Sequence, residues 1–121
     1  MKIRNGFVSN SSSSSFLIYG IQIDESDMKN FYNSYVEKFS VNKEIIEDEI
    51  DDYEYYEMIY EILPRDFEIY YFDEEQEAFI GKNPTEIPNE MTMGDWKKEI
   101  NEVFKKLGYG NVGWLEDCRY N

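Results

Sequence analysis

The chain contains no histidine and only one cysteine, Cys118, among its 121 residues. Histidine is the commonest general base of enzymes and the commonest ligand of transition metals in proteins. Its absence excludes Ser-His-Asp, Cys-His and histidine-zinc centres built within this chain. A single cysteine excludes an internal disulfide and a thiolate cluster, and it is typical of a reducing compartment. We therefore expect neither a cofactor nor a metal centre.

Long apolar segments are also absent. No run of 18 or more apolar residues is available to span a bilayer. Near the start, Asn5, Gly6 and the serines that follow interrupt any hydrophobic region of a signal peptide. These absences predict a cytoplasmic protein without a membrane partner.

Aromatic residues are plentiful, with eleven Tyr, eight Phe and two Trp. Each of these side chains can bury a large apolar area, and a chain of 121 residues is of ordinary size for one domain with one core. High net charge combined with few apolar residues would indicate disorder, but here the apolar residues are numerous and periodic. The sequence thus predicts a single folded domain over residues 1–121.

The hydrophobic pattern predicts an α+β fold. Strands are indicated at 16–23, 67–72, 77–80 and 112–119, and amphipathic helices at 24–39, at 42–63 and from Thr92 until Gly108 stops the third helix. The second and third strands form a hairpin across a four-residue turn. We predict a small sheet of the N-terminal strand, the hairpin and the C-terminal strand, packed by about three helices mainly on one face.

The segment 1–15 is rich in serine near its end. Residues 9–15 read Ser-Asn-Ser-Ser-Ser-Ser-Ser, which is the composition of a flexible linker. They also run directly into the apolar strand at 16–23, so they can instead be an ordered entry whose hydroxyls bond nearby backbone groups. The sequence leaves both interpretations open.

Residues 6–16 read Gly-Phe-Val-Ser-Asn-Ser-Ser-Ser-Ser-Ser-Phe. This opening resembles a group of small, uncharacterised phage and bacterial proteins that begin with the same signature. A looser similarity to them lies in the Phe-Ile-Gly of residues 79–81, in the Thr-Met-Gly-Asp-Trp-Lys of 92–97 and in residues 114–120. The resemblance implies a phage or prophage accessory protein in the cytoplasm of a bacterial host cell. It implies no particular activity.

The negative charge is concentrated in residues 44–77. Fifteen of the 26 carboxylates lie there with one base, Arg65, so the net charge of -14 belongs to this segment. In the predicted helix 42–63 the carboxylates mostly face solvent, opposite an apolar stripe that includes Tyr53. Like charges at i and i+4 destabilise a helix by about 0.2–0.5 kcal/mol per pair. This cost favours a role for the charge beyond solubility, although a solvated face remains an alternative.

The candidate partner-binding residues are the carboxylates of this helix and of the hairpin turn, with two tyrosines that lie outside the apolar stripe. They are Glu44, Glu47, Asp48, Asp51, Asp52, Glu54, Tyr55, Tyr71, Asp73, Glu74 and Glu75. We expect an interaction module rather than an enzyme, and a basic or DNA-binding host protein as its partner.

Two alternatives use the same carboxylates. A rigid helical array can resemble the phosphates of a duplex, which would make the protein a DNA-mimic inhibitor of a host nucleic-acid-binding or defence protein. Converging carboxylates can instead bind a hard cation or act as general acid and base in an enzyme. Direct binding to nucleic acid is not expected, because aromatic stacking platforms need cationic flanks and the aromatic middle of this chain is anionic.

Overall fold

The computed structural model describes residues 7–8 and 14–119. Its strands are β1 (Phe7–Val8), β2 (Ser14–Asp24), β3 (Phe67–Phe72), β4 (Glu77–Lys82) and β5 (Gly113–Arg119), its helices are α1 (Met28–Lys38), α2 (Asp52–Ile62) and α3 (Met93–Lys106), and single 3-10 turns cover Glu25–Asp27 and Pro84–Glu86. Ser14 and Ser15 already belong to β2. The rest of the predicted serine-rich segment, apart from β1, lies outside the described residues.

The strands form one sheet in the order β1-β3-β4-β2-β5. The two-residue strand β1 pairs parallel to β3, and all other neighbours are antiparallel. β2 is the longest strand and pairs with β4 along one half and with β5 along the other, sharing Tyr19 and Gly20 with both. The predicted α+β fold, with its hairpin and its N-terminal and C-terminal strands, is confirmed.

The apolar residues of β2 alternate between two clusters, as expected for a strand buried on both faces. Tyr19, Ile21 and Ile23 join the main cluster, to which all three helices contribute buried side chains such as Phe31, Ile59 and Ile100. Phe16 and Ile18 join a smaller cluster with other strand residues, namely the buried Phe72 and Phe79 and the partly buried Tyr70 and Leu115. The described helices therefore cover mainly one face of the sheet. None of them is long and apolar enough to cross a membrane.

Two of the predicted helices form where the pattern places them. In α1, Met28, Phe31, Tyr32 and Tyr35 are all buried, while the predicted first turn at 25–27 is a 3-10 turn capped by Asp24. In α3, the hydroxyl of Thr92 accepts a hydrogen bond from the backbone N–H of Asp95 at 3.1 Å, which caps the helix N-terminus. Gly108 adopts a φ of 93° just after the helix and ends it as predicted.

The prediction of one helix over 42–63 is wrong, because α2 begins only at Asp52 and residues 42–51 are not helical. The amide of Asn33 donates to the carbonyl of Ile46 at 2.9 Å and its oxygen accepts from the N–H of Ile46 at 2.7 Å. The ammonium of Lys29 donates to the carbonyl of Glu47 at 2.8 Å. Five carboxylates between 44 and 51 would repel one another in a helix, and these tertiary bonds satisfy the backbone instead.

The later start of α2 also changes which tyrosines face the core. Tyr55, Tyr56, Ile59 and Tyr60 are the buried residues of α2, a spacing that fits one helical face. Tyr53 was predicted to lie on the apolar stripe and is instead 42% exposed. The predicted apolar stripe is wrong because it assumed one helix from residue 42. Residues 42–51 are irregular, so their positions cannot share a helical face with those of α2.

Gly20 of β2 and Gly81 of β4 lie directly opposite each other at a place where the strands approach closely. A Cβ atom at Gly20 would lie 1.9 Å from the carbonyl oxygen of Ile80, and one at Gly81 would lie 2.4 Å from the carbonyl oxygen of Tyr19. Backbone atoms cannot rotate out of the way as a flexible side chain can. The pairing of β2 with β4 therefore requires glycine at both positions.

Gly20→Ala and Gly81→Ala should each destabilise the fold, because the added methyl group forces the two central strands apart. We expect the free energy of unfolding in urea to fall by about 2–3 kcal/mol in each variant, the size of a typical overpacking penalty. Gly113→Ala is the matched control: it pairs with Gly20 from β5 and has no heavy atom within 4 Å of an added Cβ. Equal effects at all three glycines would contradict the argument.

Candidate acidic interaction site

Carboxylates from separate parts of the chain meet at the end of the sheet where β2 stops and the hairpin turns. The backbone N–H of Glu25 donates to the carbonyl of Gln76 at 2.9 Å, which joins the end of β2 to the 73–76 turn. The first turn of α2 lies beside them, with the carboxyl group of Asp52 close enough to that of Glu25 for Glu25 to raise its pKa. We call this site the acidic pole, and its residues are Glu25, Glu49, Asp51, Asp52 and Asp73.

Asp52 lies at the centre of the acidic pole. Its pKa is raised from the ordinary value of 3.8, first by burial and then by the charge and hydrogen bond of Glu25 and the charges of Asp51 and Glu49. Burial removes water from the carboxylate and the neighbouring anions repel it, so both effects disfavour its charged form. The raised pKa of Asp52 therefore reflects burial first and the surrounding carboxylates second.

Tyr71 anchors Glu25 from beneath. Its hydroxyl donates to the Oε2 atom of Glu25 at 2.9 Å. The pKa of Tyr71 is raised well above its ordinary value of 10.0, first by burial, then by the hydrogen bond to Glu25 and by the charges of Glu25, Asp52 and Asp73. The phenol thus stays protonated at neutral pH and holds one oxygen of Glu25 in a fixed place.

Lys29 approaches the non-helical residues 42–51, which we call the acidic loop. Its ammonium pairs with the Oε1 atom of Glu49 at 3.4 Å, but the side chain of Glu49 is 88% exposed. Exposed ion pairs of this kind contribute about 0–1 kcal/mol. Since Lys29 also donates to the carbonyl of Glu47, its role is to hold the loop in place rather than to cancel the charge.

The structure brings together some of the predicted site residues and separates others. Asp51, Asp52 and Asp73 belong to the acidic pole. The remaining predicted carboxylates are exposed along the loop before α2, on α2 and in the hairpin turn: Glu44, Glu47, Asp48, Glu54, Glu74 and Glu75. Because residues 42–51 are not helical, these carboxylates do not form the regular helical array on which the DNA-mimic hypothesis was based.

The two predicted tyrosines are not surface residues. Tyr55 and Tyr71 are each only 3% exposed, so their prediction as partner contacts is incompatible with the fold. The hydroxyl of Tyr55 instead accepts from the N–H of Ile50 at 3.3 Å and donates to the carbonyl of Asp48 at 3.4 Å. Tyr55 fixes the acidic loop from inside, as Tyr71 fixes Glu25.

Sequence reasoning missed Glu25 and Lys29 as members of this region. Glu25 directly follows a strand that is antiparallel to β4, so it had to lie near the turn that precedes β4. That signal was present in the strand assignments, but it depended on knowing that β2 and β4 are neighbours. Lys29 carried no comparable signal, since its contact is with an irregular segment.

The carboxylates of the described residues do not assemble into a ligand set for a metal ion. Within residues 7–8 and 14–119, no group of three or more Asp, Glu, Cys or His side chains has the arrangement that could hold one. The acidic pole is a charged surface that the buried Tyr71 holds from the core side.

Asp52→Asn should stabilise the protein at pH 7, because the charged form of Asp52 is disfavoured in the fold. A raised folded-state pKa contributes stability that is full below the unfolded value and is lost as pH rises through the folded value. In urea unfolding we expect a gain on the order of 0.5 kcal/mol at pH 7, the scale of a screened surface interaction. The gain should shrink toward zero as pH falls to the ordinary aspartate pKa of 3.8.

Glu54→Gln is the control for this measurement, since Glu54 is an exposed carboxylate in the same helical turn. Both changes remove a favourable charge from the first turn of α2, so the helix dipole affects them alike. A larger loss of stability at pH 7 for Asp52→Asn than for Glu54→Gln would contradict the prediction. It would mean that burial and the neighbouring carboxylates do not destabilise the charged form of Asp52.

No family model, no curated protein and no solved structure matches this chain. The evidence for the fold and for the acidic pole therefore comes from the sequence and geometry of this chain alone.

Proposed function

We propose that this protein is an interaction module that binds a basic protein surface through the acidic pole. The observation that carries the proposal is the convergence of carboxylates from the end of β2, the start of α2 and the hairpin turn, where Tyr71 and the Glu25–Gln76 backbone bond hold Glu25 beside Asp52. Asp73 of the hairpin turn extends the same negative region, since its charge acts on Tyr71. Repulsion among these carboxylates destabilises the folded state, and a cationic partner would relieve the repulsion by neutralising their charge.

Binding of a cation to this surface gains in two ways. The positive charge attracts the converging carboxylates, and it stabilises the charged form of Asp52, which burial and repulsion disfavour. The net charge of -14 adds long-range attraction that speeds the encounter with a basic surface. Arginine suits such a surface particularly well, because its guanidinium can bond two carboxylate oxygens at once.

The partner class is a basic or DNA-binding protein of the host. The resemblance of the N-terminal segment to phage and bacterial proteins favours a bacterial cytoplasm as the setting, and the single cysteine agrees with it. A DNA-mimic inhibitor is the alternative hypothesis, since DNA-binding proteins have basic surfaces. The loss of the long helix leaves no regular carboxylate array to favour it over general recognition of basic surfaces. A carboxylate enzyme has no observation in its favour.

The test uses a triple variant, Glu25→Gln, Asp52→Asn and Asp73→Asn, titrated with a defined Lys- and Arg-rich peptide. Each replacement keeps the side-chain size and removes one charge of the acidic pole. We expect the dissociation constant to rise about tenfold, which corresponds to roughly 0.5 kcal/mol for each lost pair. The wild-type affinity should also fall as salt is raised, because exposed charges are screened.

The control is a second triple variant with the same change in net charge, Glu37→Gln, Glu86→Gln and Glu90→Gln, whose residues are exposed and lie outside the acidic pole. It should weaken binding much less than the first. Equal weakening by the two variants would mean that the peptide senses only the net charge, and the acidic pole would then not be a binding site. Circular dichroism and urea unfolding of both variants verify that they fold.

A further inference from the structure

A cavity of about 430 Å³ lies at the end of the molecule opposite the acidic pole. It opens where β3 begins and β4 ends, beside α3. Its apolar lining consists of Phe39, Pro64, Phe67 and Val103, and its charged lining consists of Asp66, Lys82, Glu99, Glu102 and Lys106. The volume falls within the range usual for small-molecule sites. The lining is more highly charged than is usual for such sites, with five charged residues beside four apolar ones.

Two lysines of this cavity are held against aromatic rings. The ammonium of Lys82 lies 4.9 Å from the centre of the Phe67 ring and 2.8 Å from the Oδ2 atom of Asp66, and its side chain is only 14% exposed. The ammonium of Lys106 lies 4.7 Å from the centre of the Phe39 ring. Cation–π contacts restrain both ammonium groups at the apolar floor, so they are positioned before any ligand arrives.

Two carboxylates of α3 face the same space. Glu99 and Glu102 line this cavity and also an adjoining one of about 460 Å³. Among the described residues neither of them forms an ion pair within 4 Å, and Lys106 contacts a ring rather than a carboxylate. The cavity therefore contains charged groups of both signs, and among the described residues Lys106, Glu99 and Glu102 form no ion pair, whereas Lys82 is paired with Asp66.

We propose that this cavity binds a small zwitterion with an apolar group, specifically a free α-amino acid with an aromatic or large aliphatic side chain. The ligand carboxylate would lie at Lys106, since Lys82 already neutralises Asp66, and the ligand ammonium would lie at Glu99 and Glu102. The side chain would cover the rings of Phe39 and Phe67. Each part of the ligand then meets the lining that its chemistry requires.

Simpler ligands fit the cavity less well. A plain anion would be attracted by the two lysines but repelled by Glu99, Glu102 and Asp66. A plain cation would be attracted by those carboxylates but would lie near the ammonium groups of Lys82 and Lys106. Only a molecule with both charges and an apolar body satisfies all three kinds of lining without leaving an opposed charge beside it.

The proposal is tested by titrating the full chain with three matched probes in a calorimeter. L-phenylalanine carries both charges, 3-phenylpropanoate lacks the ammonium group, and 2-phenylethylamine lacks the carboxylate. We expect saturable binding of L-phenylalanine, with each analogue about tenfold weaker because one charge-assisted contact is lost. Equal binding of either analogue would overturn the zwitterion assignment, and absence of saturable binding by all three would overturn the site.

Two variants link the binding to the cavity. Lys106→Met keeps the apolar stem over Phe39 and removes the ammonium, and Glu102→Gln removes one carboxylate at constant size. Each should weaken L-phenylalanine binding about tenfold, whereas the control Lys105→Met, at an exposed position of α3 that does not line the cavity, should leave it unchanged. Unchanged binding in both cavity variants would place the ligand elsewhere.

The acidic-pole triple variant separates this proposal from the proposed function. Its substitutions lie at the other end of the sheet, so it should bind L-phenylalanine like the wild type. Weaker amino-acid binding in that variant would show that the ligand binds at the acidic pole and would overturn the cavity assignment. The peptide titration and the amino-acid titration can thus fail independently.

Discussion

The antiparallel pairing of β2 with β4 is the constraint on which the rest of the molecule depends. Its register places Asp24 opposite Glu77 at one end and Tyr19 opposite Lys82 at the other. The first end joins the start of the 3-10 turn to the hairpin turn, which creates the acidic pole. At the second end, the separate register of β3 with β4 places Phe67 opposite Lys82, and both residues line the cavity. The two sites therefore lie at opposite ends of β4, and the close approach of Gly20 and Gly81 maintains the pairing of β4 with β2.

The charges of the chain are distributed unevenly between these two ends. At the acidic pole, buried hydroxyls of Tyr55 and Tyr71 hold carboxylates and their loop without neutralising them. At the cavity, aromatic rings hold the ammonium groups of Lys82 and Lys106. Aromatic side chains thus do more than fill the core. The tyrosine hydroxyl holds a carboxylate by a hydrogen bond, and the phenylalanine rings hold ammonium groups by cation–π contacts.

The irregular segment before α2 shows how charge and tertiary contacts together decide local structure. An amphipathic pattern favoured a helix from residue 42, but five carboxylates in eight residues made that helix costly. Asn33, Lys29 and Tyr55 offered the backbone other partners. Since these partners are distant in sequence or depend on the packing of α1, their effect could not be predicted from the segment itself.

The sequence alone determined the α+β class, the hairpin, the cap of α3 and the location of the net charge, because hydrophobic period, turn residues and charge counts are local properties. It also indicated that the carboxylates near Asp51, Asp52 and Asp73 belong to one surface. Only the tertiary structure decided that Glu25 completes that surface, that Tyr55 and Tyr71 are buried beneath it, and that Lys82, Lys106, Glu99 and Glu102 line one cavity. These outcomes depend on strand order and register, which no single segment of the chain encodes.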